Sequence, residues 1–101
     1  MIIYSVTINI NQDIEEEWLE WMRLVHIPDV MQTGCFSNFY LNRLIEPESQ
    51  QGTNTYNIQY ECSSLEKIVE YQKNFAPKLQ AEHTEKFNNQ FAAFRTLLER
   101  L

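Results

Sequence analysis

From Ile2 to Ile10 the chain alternates, with Ile2, Tyr4, Val6, Ile8 and Ile10 on one side and Ser5, Thr7 and Asn9 on the other. A period of two predicts a strand buried on one face. The period then lengthens. Ile14, Trp18, Trp21, Met22 and Val25 recur at three- and four-residue steps, which predicts a helix with one apolar stripe. Asp13 followed by Glu16 has the form of a capping box at its start, and Glu15, Glu16 and Glu17 suit the positive end of the helix dipole. Pro28 disfavours helical geometry at Ile27, so His26-Ile27-Pro28-Asp29 reads as a helix break with His26 at the end of the first helix. A short turn follows, which Gly34 would end in left-handed geometry.

Cys35 to Ile45 reads as a second strand and Thr55 to Cys62 as a third, joined by a polar loop over Glu46 to Asn54. Ser63 with Glu66 predicts a second capping box, opening a helix through Leu65, Ile68, Val69 and Gln72. Pro77 interrupts that helix, and its continuation carries Leu79, His83 and Phe87 at four-residue steps. Phe91 to Leu98 closes the chain as a fourth strand. The order strand, helix, strand, strand, helix, strand predicts a single α+β domain over residues 1–101, a ferredoxin-like βαββαβ fold. Right-handed crossovers place both helices on one face of a four-stranded antiparallel sheet.

The two sheet faces then differ in chemistry. Cys35, Phe39, Leu41, Tyr56, Ile58 and Tyr60 join Tyr4, Val6 and Ile8 beneath the helices, with Cys35 expected opposite Cys62. The other face collects Ser5, Thr7, Asn9, Asn38, Tyr40, Asn42, Asn57, Gln59 and Glu61, and Phe91, Ala93 and Arg95 are expected to join it. Such an open polar face lies in water, binds a ligand, or meets the same face of a second copy. Tyr40 and Phe91 would leave aromatic area there for a partner to cover. On this register Arg95 is the cation of the open face, with Glu61 its expected neighbour.

Charge removes several partner classes. Eight Lys and Arg against fourteen Asp and Glu give a net charge of -6, which repels phosphate backbones and anionic lipid, so neither nucleic acid nor membrane is an expected partner. With Gly34 and Gly52 the only glycines, no phosphate-cradling loop can form. The RNA-binding and acylphosphatase variants of this topology need a basic surface or a phosphate loop, and both are missing. Residues 1–10 resemble a strand rather than an export signal, so a cytoplasmic location with reduced Cys35 and Cys62 is expected. Neither cysteine belongs to a Cys-x-x-Cys motif, and His26, Asp29 and His83 are too few for a convincing zinc site, so no metal and no cofactor are expected.

The topology, the chain length and the string His26-Ile27-Pro28-Asp29 resemble the dimeric α/β-barrel superfamily. That superfamily includes small antibiotic-biosynthesis monooxygenases, muconolactone-isomerase-like proteins and EthD-type proteins. More narrowly, Trp18-Leu19-Glu20-Trp21-Met22, His26-Ile27-Pro28-Asp29-Val30, Thr33-Gly34-Cys35-Phe36 and Phe91-Ala92-Ala93-Phe94-Arg95-Thr96-Leu97-Leu98 resemble a family of short bacterial proteins of unknown function. The resemblance implies a homodimer whose sheets face each other, with Thr7, Tyr40, Asn57, Gln59 and Arg95 at the contact. It also implies a small-molecule pocket between helices and sheet. Tyr4, Trp18, Trp21 and Tyr60 are candidates for its wall, although a core role for the tryptophans is the simpler reading.

His26 and His83, the only histidines, could both point into such a pocket, and Asp29 could orient His26. Helix capping by His26 and core packing by His83 are the competing structural roles. No complete catalytic constellation is present. The first reading is therefore a homodimer that binds a ligand or serves a structural role without catalysis. The alternative is a cofactor-independent isomerase or monooxygenase with His26 as acid/base, Asp29 orienting it, and His83 or Tyr60 polarising the substrate.

Overall fold

A computed structural model describes all 101 residues. Strands β1 (Ile2–Asn11), β2 (Asn38–Arg43), β3 (Thr53–Cys62) and β4 (Phe91–Glu99) form one antiparallel sheet in the order β2-β3-β1-β4. Between β1 and β2 run α1 (Glu15–Trp21), a π-helical turn over Met22–His26 and α2 (Ile27–Gln32). Between β3 and β4 run α3 (Leu65–Asn74) and α4 (Ala76–Lys86). This is the ferredoxin-like arrangement the alternating patterns predict.

The apolar sides of β1 and β3 supply the floor of the core: Tyr4, Val6, Ile8 and Ile10 beside Tyr56, Ile58, Tyr60 and Cys62, all buried. Trp18, Met22, Ile27 and Val30 cover it from the first crossover, and Ile68, Tyr71, Ala76, Leu79 and Phe87 from the second. The polar sides of the central strands face away from the helices, with Asn57 and Gln59 only half-buried.

Several local expectations give way to packing. Asp13 does not cap α1; a 3-10 turn over Gln12–Ile14 precedes the helix, which starts at Glu15 without a side-chain cap. No break occurs at His26-Ile27-Pro28-Asp29. The Ile27 N–H donates to the Met22 carbonyl five residues back, and His26 and Ile27 keep helical dihedrals. Pro28 thus falls in the first turn of α2, which the π-turn enters without a break. Gly34 does end the run, at φ +77°. Val25 turns outward rather than extending the apolar stripe.

The second strand is shorter than expected, because Cys35 and Phe36 pack into the core as loop residues before β2 begins. Leu41 pairs with Ile58, two residues from its expected partner Tyr56, and Cys35 has no place opposite Cys62. A displacement of two preserves every face, since the side-chain period is two. Both cysteines are free and buried. On α3 the cap is Ser64, whose side chain accepts from the Lys67 N–H, and not Ser63. The buried stripe accordingly runs through Ile68 and Tyr71, while Leu65 and Val69 are exposed.

The consequential correction concerns β4. Thr7 pairs with Phe94 and Asn9 with Ala92, so Ala92, Phe94, Thr96 and Leu98 share the open face. Phe91, Ala93 and Arg95 lie on the helix side instead, and Glu61 pairs with Arg100 at 2.5 Å. The expected apolar partner surface therefore centres on Tyr40 and Phe94, not on Phe91.

Candidate functional site

Between the helices and the β1–β4 half of the sheet lies a cavity of about 30 Å³. Its floor is Tyr4, Val6 and Ile8 of β1, Ile58 and Tyr60 of β3, and Phe91, Ala93 and Arg95 of β4. Met22, His26 and Val30 close it from the first crossover, and Tyr71, Gln80 and His83 from the second. Met22 and His26 bound the π-turn and both face the cleft, as side chains four apart on a helix do, and the helix carries on past Pro28.

The tyrosine end is built from edges and faces. The Tyr4 ring meets Tyr71 at 5.5 Å nearly edge-on, and Phe36 bridges Tyr60 and Tyr71 at 5.1 and 4.8 Å. Burial pushes the phenols of Tyr4, Tyr60 and Tyr71 up, so all three stay protonated and serve as O–H donors at neutral pH. Arg95 and Gln80 are the polar neighbours of the Tyr4 hydroxyl.

The histidine end is tied to α1. Trp18 Nε1–H donates to His83 Nε2 at 2.9 Å. An indole only donates, so Nε2 carries the lone pair and the neutral ring holds its proton on Nδ1. His83 packs edge-on to Phe91 with centroids 4.4 Å apart, and its centroid lies 5.8 Å from that of His26. Both imidazoles are depressed to about 4, chiefly by burial; the Arg95 charge adds to both, and Asp29 partly offsets the effect on His26. Each is therefore neutral at pH 7.

Among the residues singled out from the sequence, His26, His83, Tyr4 and Tyr60 line this one cavity. Trp18 and Trp21 do not. Trp18 is wholly buried behind His83, and Trp21 stacks against His26 and Phe87 at 5.4 and 5.5 Å. Asp29 lines a separate surface hollow with Asn74, Lys78 and Glu82, and reaches His26 only through its field. Thr7, Tyr40, Asn57 and Gln59 stay on the open face, but Arg95 stands in the cleft. Tyr56 donates its hydroxyl to Glu15, which also accepts from Asn54 at 2.8 Å. That bond holds the Glu15 carboxyl below its usual range.

Tyr71 and Gln80 were missed as lining residues. A cap placed at Ser64 would have phased α3 to bury Tyr71, and Gln80 lies three residues before His83, on the same helix face. Chemically the cleft is a set of donors. No hydrogen bond within the protein occupies the Tyr60 or Tyr71 hydroxyls or His83 Nδ1, whereas Gln80 and Arg95 both turn to the Tyr4 hydroxyl; no buried polar atom is sealed away without a partner, so the unpaired atoms reach open space. Arg95 is the only charged lining residue, and no carboxylate lines the cavity. Nowhere do three or more His, Cys, Asp or Glu side chains gather to hold a metal. No helix is long and apolar enough to cross a membrane.

Comparison with solved structures gives the same fold at low identity. An ethyl tert-butyl ether degradation (EthD) family protein from Bacillus halodurans superposes with TM-score 0.67 at 12% identity, covering 100% of both chains. A variant of MhuD, solved with two manganese protoporphyrin IX molecules bound per active site, gives TM-score 0.70 at 18% identity, covering 100% of this chain and 95% of the other. A dimeric ferredoxin-like protein from an uncultured marine organism gives 0.70 at 12%, also covering 100% and 95%. These likenesses establish the fold. No relative among curated proteins matches the sequence. A family model does match over residues 1–101, and the chain belongs to that family, described as a domain of unknown function, DUF4286.

Proposed function

We propose that the protein is a homodimer, packed through the open faces of its two sheets, that binds a small molecule in the helix–sheet cleft of each subunit. The observation that carries the binding role is the convergence of His26, His83, Tyr60, Tyr71, Gln80 and Arg95 on one cavity, where the Tyr60 and Tyr71 hydroxyls and His83 Nδ1 are taken up by no protein group. Pockets of this kind, mostly apolar with a few converging polar groups, are the usual form of small-molecule sites.

The dimer rests on the open face and on neighbours described as dimeric ferredoxin-like proteins. Tyr40, Phe94 and Leu98 are 46%, 60% and 49% exposed there, and Phe94 forms an apolar hollow with Ala92, Leu44 and Pro47. Several polar groups between them are already paired: Asn57 donates to Ser5 and Thr7 at 2.9 and 3.1 Å, and Asn9 to Thr53 and Thr55 at 3.0 and 2.9 Å. A second sheet can cover these without orphaning their donors, while Gln59 and Thr96 remain to bond across the contact.

The cavity's size constrains the ligand. About 30 Å³ accommodates roughly two waters, whereas drug-sized ligands need on the order of several hundred Å³. A macrocycle like the one bound to the MhuD variant does not fit this cleft. Catalysis with His26 as acid/base is the weaker reading. A pKa of about 4 leaves His26 a poor base at neutral pH, and Asp29 does not share its cavity.

Light scattering tests the assembly. A mass of twice 12.1 kDa at micromolar concentration is expected, and Phe94→Asp should reduce it to one chain; a single-chain mass for the unsubstituted protein overturns the dimer. For the cleft, a fragment screen read on the Trp18 indole N–H resonance should find binders that Ala93→Phe excludes. Binding unaffected by that substitution overturns the site.

A further inference from the structure

We propose that the cleft takes a carboxylic acid, its carboxylate seated between Arg95 and the donors around it, with the rest of the molecule at the cavity mouth. The inference rests on the cleft being a small-molecule site and adds the ligand's chemical class.

Three observations point the same way. First, the polar lining is a set of donors facing a space with no anion of its own. Arg95 has five N–H groups in a planar fork that matches a carboxylate, and neither ion pair of the fold involves it. The tyrosine hydroxyls, the Gln80 amide and His83 Nδ1–H line the same cavity. A ligand offering only donors, such as an ammonium, would meet a cation and find its acceptors chiefly in the phenolic oxygens, one imidazole and one amide.

Second, the donor states are locked. The Trp18 bond commits His83 Nε2 as an acceptor, so the proton on that ring stays at Nδ1. Burial keeps the phenols protonated. Arg95 acts on all the titratable lining groups, Tyr4, His26, Tyr60, Tyr71 and His83, in the sense that favours negative charge nearby.

Third, size and access agree. A volume of roughly two waters suits a carboxylate group but not a ring or a long chain. Arg95 is itself exposed, which places the cation at the mouth, where the remainder of the acid can stay outside. Phosphate is the poorer fit, because its tetrahedral dianion needs more room and more charge than one guanidinium offers.

The test uses the full-length protein and four probes at constant ionic strength: sodium acetate, acetamide, sodium benzoate and benzamide. Binding is followed on the Trp18 indole N–H and the Arg95 side-chain N–H resonances. Saturable shifts are expected from acetate and benzoate, at least tenfold weaker binding from either amide, and loss of carboxylate binding of at least tenfold in Arg95→Gln, with Arg95→Lys between. The amide spectrum of each variant reports that it is folded. Equal affinity for benzamide and benzoate, or unchanged benzoate binding in Arg95→Gln, overturns the anion assignment while leaving the cleft a ligand site. No shift from any probe overturns it too, and the cleft reading then stands or falls on the fragment screen with Ala93→Phe.

Discussion

The two faces of the sheet satisfy their polar groups in opposite ways. On the open face the side chains bond to one another: Asn57 bridges Ser5 and Thr7, and Asn9 bridges Thr53 and Thr55. On the covered face Trp18 bonds His83 and Tyr56 bonds Glu15, but the hydroxyls of Tyr60 and Tyr71 have no partner within the protein and border a cavity. A face whose polar atoms pair internally is ready to be covered by a flat surface. One that directs unused donors inward at a cation is ready to receive a molecule with acceptors. On the proposed reading, the contrast separates assembly from recognition within one 12.1 kDa chain.

Four measurements break or sharpen that contrast. The largest effect belongs to the covered face. Trp18→Ala removes a wholly buried ring packed on Tyr56 at 5.2 Å and the indole donor of His83, and should cost about 4 kcal/mol in urea unfolding. A loss below about 1 kcal/mol would mean the histidine end is loosely packed.

Next comes pH. His83 falls from 6.5 to about 4 in the folded protein, so between those values the unfolded chain binds the extra proton. Its contribution is complete above pH 6.5 and is lost as pH falls through 4. The shift corresponds to about 3 kcal/mol at 1.36 kcal/mol per pH unit. Urea midpoints at pH 7 and pH 4 should show the decline, with a shallower one in His83→Gln. Identical declines would remove His83 from the account.

Tyr56→Phe should cost about 1 kcal/mol at pH 7 by removing a hydroxyl bonded to a carboxylate. Because that bond lowers the Glu15 pKa, its contribution is present above the ordinary carboxylate range and disappears as pH falls through the lowered value. An unchanged cost in acid would show that packing, not the bond, was lost. The smallest effect lies on the open face. Asn57→Ala should cost no more than about 1 kcal/mol, since the site is only part-buried and water can replace the two bonds. If it costs more than Tyr56→Phe, the open face is the better ordered of the two.

How far each region could be read from the sequence follows local pattern. In β1 and β3 the alternation is clean, so the burial of Tyr4, Tyr56, Ile58 and Tyr60 was legible, and a register error of two residues left it intact. β4 offers no such alternation. Phe91, Ala93 and Leu97 on one side face Ala92, Phe94 and Leu98 on the other, so nothing local says which side Arg95 takes. That one ambiguity placed the cleft's only cation on the open face. Pro28 misled for a related reason: its rule assumes i to i−4 hydrogen bonding, and the π-turn before it supplies a different ladder. At α3 a cap misplaced by one residue rotated the helix by about 100° and hid Tyr71.

By itself, then, the order of residues determined the strand–helix sequence, the greasy underside of β1 and β3, the stop at Gly34 and the re-start at Pro77. Each depends on neighbours within a few positions. Only the tertiary structure decided that His26, His83, Gln80 and Arg95 converge, because that convergence depends on how three elements distant in sequence are rotated and registered against one another. Such rotations are set by the best total packing of the core and leave no mark on any short stretch of chain.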